Sequence, residues 1–237
     1  MERYRHEFKF LCDERQLAVL QHRLEPVMRR DPYAGESGSY RVRSVYFDDI
    51  YRQCRFDNEN GNDPRGKFRI RIYNGSLRPI LLEKKIKREG MTRKEVCRLD
   101  EAECRALLAE PEQTGLEVAE NRELFGALLT ESRTKLLRPV VLIDYDRTPF
   151  VCENGKVRIT FDRSISASSR IESFFEKAAP LTPVLPAGIH ILEVKHNDWL
   201  PEEIRRLLNT GFLQQTAFSK YYFGYQAVLG EAHHAII

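Results

Sequence analysis

The sequence contains no Cys-x-x-Cys pair, and its five cysteines (Cys12, Cys54, Cys97, Cys104 and Cys152) are an odd number. A disulfide framework or a zinc site is therefore not expected, and a reducing, cytoplasmic setting is. No run approaches the roughly 18 apolar residues of a membrane span. The opening stretch MERYRHEFKF carries charges where a secretory signal needs an apolar segment, so secretion is not expected either. Repeats, low-complexity tracts and linker-like breaks are also missing, and residues 1–237 are read as a single domain. Net charge is small, only +3, which gives no support for nucleic-acid binding. What is present is a folding composition: 42% hydrophobic residues with 13 Phe and 10 Tyr. The cations are 27 Arg against 11 Lys, a bias toward the side chain suited to bidentate phosphate or carboxylate recognition.

Period-two patterning predicts strands over 4–11, 40–48, 66–73, 80–88, 92–98, 138–147, 156–163 and 189–196. Turn residues such as Asn74-Gly75 and Asn154-Gly155 separate several of them. Helices are expected over 14–29, 101–109, 118–130, 201–209 and about 219–228, and a Ser- and Pro-rich loop over 165–187. Asp13 with Gln16, and Asp100 with Glu103, stand in capping-box register. Strands in runs interrupted by helices favour an antiparallel α+β fold over a doubly wound parallel sheet. Eight strands is also a number at which a sheet closes into a barrel.

In a strand, residues of one parity share a face. Five predicted strands carry nine cations on such faces (Arg5, Lys9, Lys67, Arg69, Arg71, Lys85, Lys87, Arg158 and Lys195). The same faces carry four carboxylates: Glu7, Glu83, Asp162 and Glu193. The excess, five, is larger than the net charge of the whole chain, +3. A half-buried sheet with its polar side outward would show the same alternation. The amphipathic helices, however, need apolar strand faces to cover, which turns the charged faces inward. Like-charged neighbours on adjacent strands repel, so a concentrated cationic lining makes sense if a polyanion neutralises it. The carboxylates within it could hold Mg²⁺ or Mn²⁺ against phosphate oxygens. Ser44, Tyr46 and Asp48 share a face and are candidates either to line the bore or to serve the fold. His190 and His196 fall opposite Glu193 and Lys195 and are expected to pack. Trp199 is expected in the core, Cys12, Cys97 and Cys152 as small buried groups, and His233-His234 in a solvated tail.

Eight segments, in this order, resemble one known family: RHEFKF (5–10), SVYFDD (44–49), KFRIRIY (67–73), LEKKIK (82–87), DYDRTPF (144–150), VRITFD (157–162), ILEVK (191–195) and FSKYYFG (218–224). Together they are similar to the VTC-type polyphosphate polymerase domain of the triphosphate tunnel metalloenzyme superfamily. The resemblance implies an eight-stranded antiparallel β-barrel forming a hydrophilic tunnel, flanked by amphipathic helices. It implies that Lys9, Arg69, Arg71, Lys85, Arg147, Arg158 and Lys220 bind phosphate, with Lys94 or its neighbour Arg93 as a further contact. Arg69, Arg71, Lys85 and Arg158 would act on the transferring group. Glu193 would be the ligand of a divalent metal, Mn or Mg. The superfamily's E-x-E-x-K signature reads Arg5-x-Glu7-x-Lys9 in this chain, which leaves Glu7 as a metal ligand or a lysine partner. Ala217 stands where some VTC domains carry a lysine.

The leading expectation is polyphosphate synthesis from ATP. The alternatives are an inorganic or nucleoside triphosphatase, with Glu7 or Glu83 orienting water, and a non-catalytic polyphosphate binder. Expected partners are ATP, triphosphate or polyphosphate. Nucleic acid is not expected, because the charged faces carry few aromatics apart from Tyr73. The chain offers no membrane segment of its own and leaves room for a membrane-protein partner.

Overall fold

The computed structural model describes residues 4–118, 122–152 and 156–230. The Asn154-Gly155 turn and His233-His234 lie outside them. Eight long strands carry the fold: β1 (His6–Asp13), β3 (Tyr40–Asp48), β4 (Arg65–Tyr73), β5 (Ser76–Arg88), β6 (Met91–Leu99), β7 (Arg138–Val151), β8 (Val157–Ser168) and β10 (Ile189–His196). Three two-residue strands accompany them: β2 (Arg29–Arg30), β9 (Thr182–Pro183) and β11 (Gln214–Gln215). The helices are α1 (Glu14–Leu24), α2 (Gln53–Glu59), α3 (Glu101–Ala109), α4 (Glu123–Lys135), α5 (Glu202–Leu208) and α6 (Lys220–Leu229).

The architecture is α+β with one large antiparallel sheet, ordered β11-β1-β10-β8-β7-β3-β4-β5-β6. The path curls until its two end regions meet at one point. There Arg5 and Thr92 exchange a pair of backbone hydrogen bonds of 2.8 and 2.9 Å. Beyond that bridge no ladder joins β1 to β6 among the described residues, so the expected barrel is not closed.

The apolar strand faces point outward and are covered by helices. Phe68, Ile70, Ile72, Ile80 and Leu82 pack under Leu107 of α3 and under Phe125 and Leu128 of α4. Phe161, Leu192 and Val194 pack under Leu17, Leu20 and Leu24 of α1 and Ile204 of α5. The capping boxes at Asp13 and Asp100 form as expected. Chain ends of elements differ from the sequence reading. Helix α1 stops at Leu24, though Met28 stays buried beyond it. Helix α4 begins at Glu123 rather than 118. The expected loop over 165–187 holds the end of β8, a 3₁₀ turn at Ile171–Phe175 and β9.

The inner face is not polar along its whole length. After Arg163, Ser164 takes a left-handed conformation (φ 52°) and the β7–β8 register shifts. The bulge turns Ile165 and Ala167 inward, where they join Val141, Ile143 and Ile191. Helix α6 enters this half of the bore and fills it with Tyr221 and Tyr225. Gly224 permits the approach: a Cβ there would lie 2.1 Å from Ile143 Cδ1. The hydrophilic tunnel expected from the sequence therefore occupies one half of the bore. Trp199 is corrected outright, because it is 68% exposed between β10 and α5. Cys12 is buried as expected, whereas Cys97 and Cys152 are only half-buried.

Candidate active site

Register places the charges. On β4, Arg69 stands opposite Tyr46 of β3 on one side and Glu83 of β5 on the other. Arg71 stands opposite Ser44. Across β1 and β10, Glu7 faces Lys195 and Lys9 faces Glu193, and Arg147 faces Asp162 across β7 and β8. Direct opposition brings side chains on one face to about 5 Å, so each pair can interact.

The resulting cavity, about 430 Å³, is lined by fourteen cationic side chains and two carboxylates, Glu7 and Glu193. All eight expected phosphate-binding residues line it: Lys9, Arg69, Arg71, Lys85, Lys94, Arg147, Arg158 and Lys220. Arg93 lines it too, but its guanidinium is turned to Glu95 at 2.6 Å. Lys94, opposite Lys85 in register, shares the inward face. Lys67 and Lys195 also line the cavity, which extends the set inferred from motifs.

Buried acceptors hold the arginines in place. Arg147 donates twice to Asp162, at 2.7 and 2.8 Å, and Asp162 has no exposure. Lys220 reaches the same carboxylate at 2.6 Å. Arg69 donates to Glu83 at 2.6 Å and to the Tyr46 hydroxyl at 3.0 Å. Arg71 donates to Ser44 Oγ at 3.0 Å and to the Tyr145 hydroxyl at 3.2 Å. Arg158, nearer solvent, is held by Asp31 at 2.7 Å and the Tyr40 hydroxyl at 2.9 Å. Side chains fixed this way lose little further entropy on gripping an anion. Tyr40 and Tyr145 were not singled out from the sequence. The shared parity of Tyr40 with Ser44 and Tyr46 was the available signal. Asp48 proves structural: it accepts from the backbone N–H groups of Cys54 and Arg55 at the start of α2, and from the Tyr221 hydroxyl. His190 and His196 pack, against Glu14 and in a stack with His6 and Phe8 respectively.

Crowding of like charges shifts protonation. Burial, reinforced by neighbouring Lys9, pulls the Lys85 ammonium down to about 7 despite Glu7. Burial likewise brings Lys67 down to about 8. Burial would raise the Tyr46 hydroxyl, but Arg69, Arg71 and Lys220 outweigh it and bring it to about 8. Burial and the neighbouring Glu193 oppose ionisation of Glu7, yet Lys85, Lys9 and Lys195 hold it down to about 2. Burial also works against a charged Glu193, but Lys195, Lys220, Lys9 and Arg147 keep it well below the usual carboxylate range. Both cavity carboxylates are therefore anions.

These two carboxylates decide whether a metal fits. Lys195 Nζ lies 3.8 Å from Glu7 and 3.3 Å from Glu193, so the two acids face one region. No cluster of three His, Cys, Asp or Glu able to chelate an ion occurs among the described residues. A pair of hard carboxylates suits Mg²⁺ or Mn²⁺, which take their other ligands from water and phosphate. The donor set fits such an ion and does not fit a closed, all-protein site.

The VTC domain family model matches residues 4–229. The chain belongs to the VTC domain family. No curated protein sequence matches this VTC domain. Among solved structures, it is similar to a putative adenylyl cyclase from Hippeastrum, described as having a dominant triphosphatase activity. That match has 16% identity and a TM-score of 0.55 and covers 95% of this chain and 97% of the other. A putative adenylate cyclase from Bacillus halodurans is similar at 14% identity and a TM-score of 0.48, over 86% of this chain and 84% of the other. At such identities the first likeness speaks for a shared fold.

Proposed function

We propose that this VTC domain is an enzyme that transfers a phosphoryl group from a triphosphate held in the cationic bore, and that it makes polyphosphate from ATP. The observation that carries the reading is the convergence of cations from separate strands on one cavity, with Arg69, Arg71, Arg147 and Arg158 anchored behind by buried carboxylates or hydroxyls. Such a cradle is suited to the spread negative charge of a transferring phosphoryl group, whose chemistry asks mainly for alignment and charge neutralisation. Lys9, Arg69, Arg71, Lys85, Lys94, Arg147, Arg158 and Lys220 would hold the phosphates, with Arg69, Arg71, Lys85 and Arg158 on the transferring group. Glu193 and Glu7 would hold Mn²⁺ or Mg²⁺, which when bound supplies positive charge to the phosphate oxygens.

In this scheme a terminal oxygen of inorganic phosphate or of a growing chain attacks the γ-phosphorus in line. The new P–O bond forms as the bond to the β,γ-bridging oxygen breaks, and ADP leaves with that electron pair. An anionic phosphate oxygen needs no general base. That suits a site in which Glu83, a candidate to orient water, is fully buried against Arg69, Arg71 and Lys94.

Hydrolysis is a second reading with its own support. Helix α6 fills one half of the bore and Ala217 stands at the cavity wall, which favours a short substrate over a long threaded product. Incubation with ATP and Mn²⁺, with products resolved by length, separates the readings. Chains longer than triphosphate support synthesis, and phosphate release without chain growth supports a triphosphatase. Tight triphosphate binding without turnover under any divalent metal would leave only a binding module.

A further inference from the structure

A second cavity lies outside the bore, along the edge of β6. It encloses about 900 Å³ and is lined by five cations (Lys84, Arg93, Lys94, Arg98 and Arg122) against two carboxylates. Arg93 and Lys94 line both cavities, so the two spaces adjoin across β6. Lys94 bridges them: its ammonium reaches inward to Glu83 at 3.1 Å while its side chain is 38% exposed. Of these cations, Lys84 is paired with Glu131, Arg122 with Glu103 and the terminal nitrogen of Arg93 with Glu95. Arg93 Nε is buried with no hydrogen-bond partner, and Arg98 is exposed with no ion pair among the described residues. A buried unpaired donor marks a place where an acceptor oxygen is missing.

We propose that this groove is a second polyanion subsite, which takes the distal phosphates of a linear inorganic polyphosphate whose end lies in the bore. The proposal rests on the phosphoryl-transfer reading above and adds a path for a chain too long for the bore. A polyphosphate chain presents acceptor oxygens along its whole length, and one too long for the bore passes Lys94 into the groove, since α6 fills the other half. None of the groove residues is aromatic, so it lacks the stacking platform that single-stranded nucleic acid uses.

The test measures equilibrium binding of inorganic triphosphate and of long-chain polyphosphate to the full chain, without turnover. Arg98→Glu is compared with wild type and with Arg206→Glu, an equal charge change on exposed α5. Arg98→Glu should leave triphosphate affinity within about twofold and weaken long-chain affinity by at least roughly fivefold at low salt. Arg98→Lys should restore most of it, and Arg206→Glu should do little. An unchanged long-chain affinity in Arg98→Glu overturns the groove and leaves the bore reading standing. Equal losses in both charge reversals reduce the effect to net charge and overturn it too. Loss of long-chain binding at Arg98, in a protein that binds no triphosphate, keeps the groove and removes the bore reading. Poly-uridylate binding as tightly, with the same Arg98 dependence, would overturn the assignment to polyphosphate.

Discussion

Arg69 and Arg71 sit two residues apart on one strand and both approach Glu83, at 2.6 and 3.7 Å, but their hydrogen-bond partners differ. Arg69 leans on a buried carboxylate, and Arg71 on two hydroxyls. Truncating either removes a charge-assisted contact, so Arg69→Ala or Arg71→Ala should weaken triphosphate binding by about 1.5–3 kcal/mol, read by calorimetry. Tyr145→Phe removes only the hydroxyl that positions Arg71, and should cost about 1 kcal/mol of the same affinity with little change in stability. Protonation acts on the same surface. Lys85 and Lys67 are charged below about 7 and about 8 respectively and neutral above. Triphosphate affinity should therefore fall as pH rises through that window. Lys85→Met should bind more weakly at low pH and lose the lower part of the dependence. A flat titration in wild type would contradict the assignment. The alternation of Lys67, Arg69 and Arg71 was legible in the sequence because a strand repeats every two residues. Their anchors were not, because Tyr145 and Asp162 reach the site only through strand pairing.

At the scale of elements, α6 is the helix that decides the shape of the bore. Its Lys220, Tyr221, Gly224 and Tyr225 are buried, while Ala227 and Leu229 on the other side are exposed. Gly224→Ala would press a methyl group into Ile143 and should destabilise the fold by about 1–3 kcal/mol, with partial rescue by Ile143→Val, read by denaturant unfolding. Helix α2 escaped the sequence reading because its seven residues carry no apolar stripe. It forms where Asp48 gathers the first N–H groups of the helix. The ends of α1 and α4 were misplaced for a related reason: apolar residues such as Met28 remain buried after the helix has stopped, so pattern outlasts conformation.

At the scale of the whole molecule, fourteen cations face one cavity with two carboxylates among them. Their mutual repulsion should make the folded state gain from any bound polyanion. Triphosphate at a hundredfold excess over its Kd should add about 2.7 kcal/mol to stability, seen as a rise in melting temperature that falls away with added salt. Glu193→Gln should keep the fold and lose metal-dependent turnover. Normal turnover in that variant would remove the metal assignment.

The sequence by itself determined the α+β class, the strand periods, the two capping boxes and which side chains share a face, since all of these depend on residues a few positions apart. The family resemblance, carried by short motifs in order, was legible in the same way. Tertiary structure alone decided that the charged faces meet, that the ends of the sheet touch at Arg5 and Thr92 with no further ladder among the described residues, and that α6 occupies half the bore. Those outcomes depend on twist summed over eight strands, on one bulge at Ser164 and on one glycine beside Ile143. Such small local terms acquire their meaning only once distant segments are packed together.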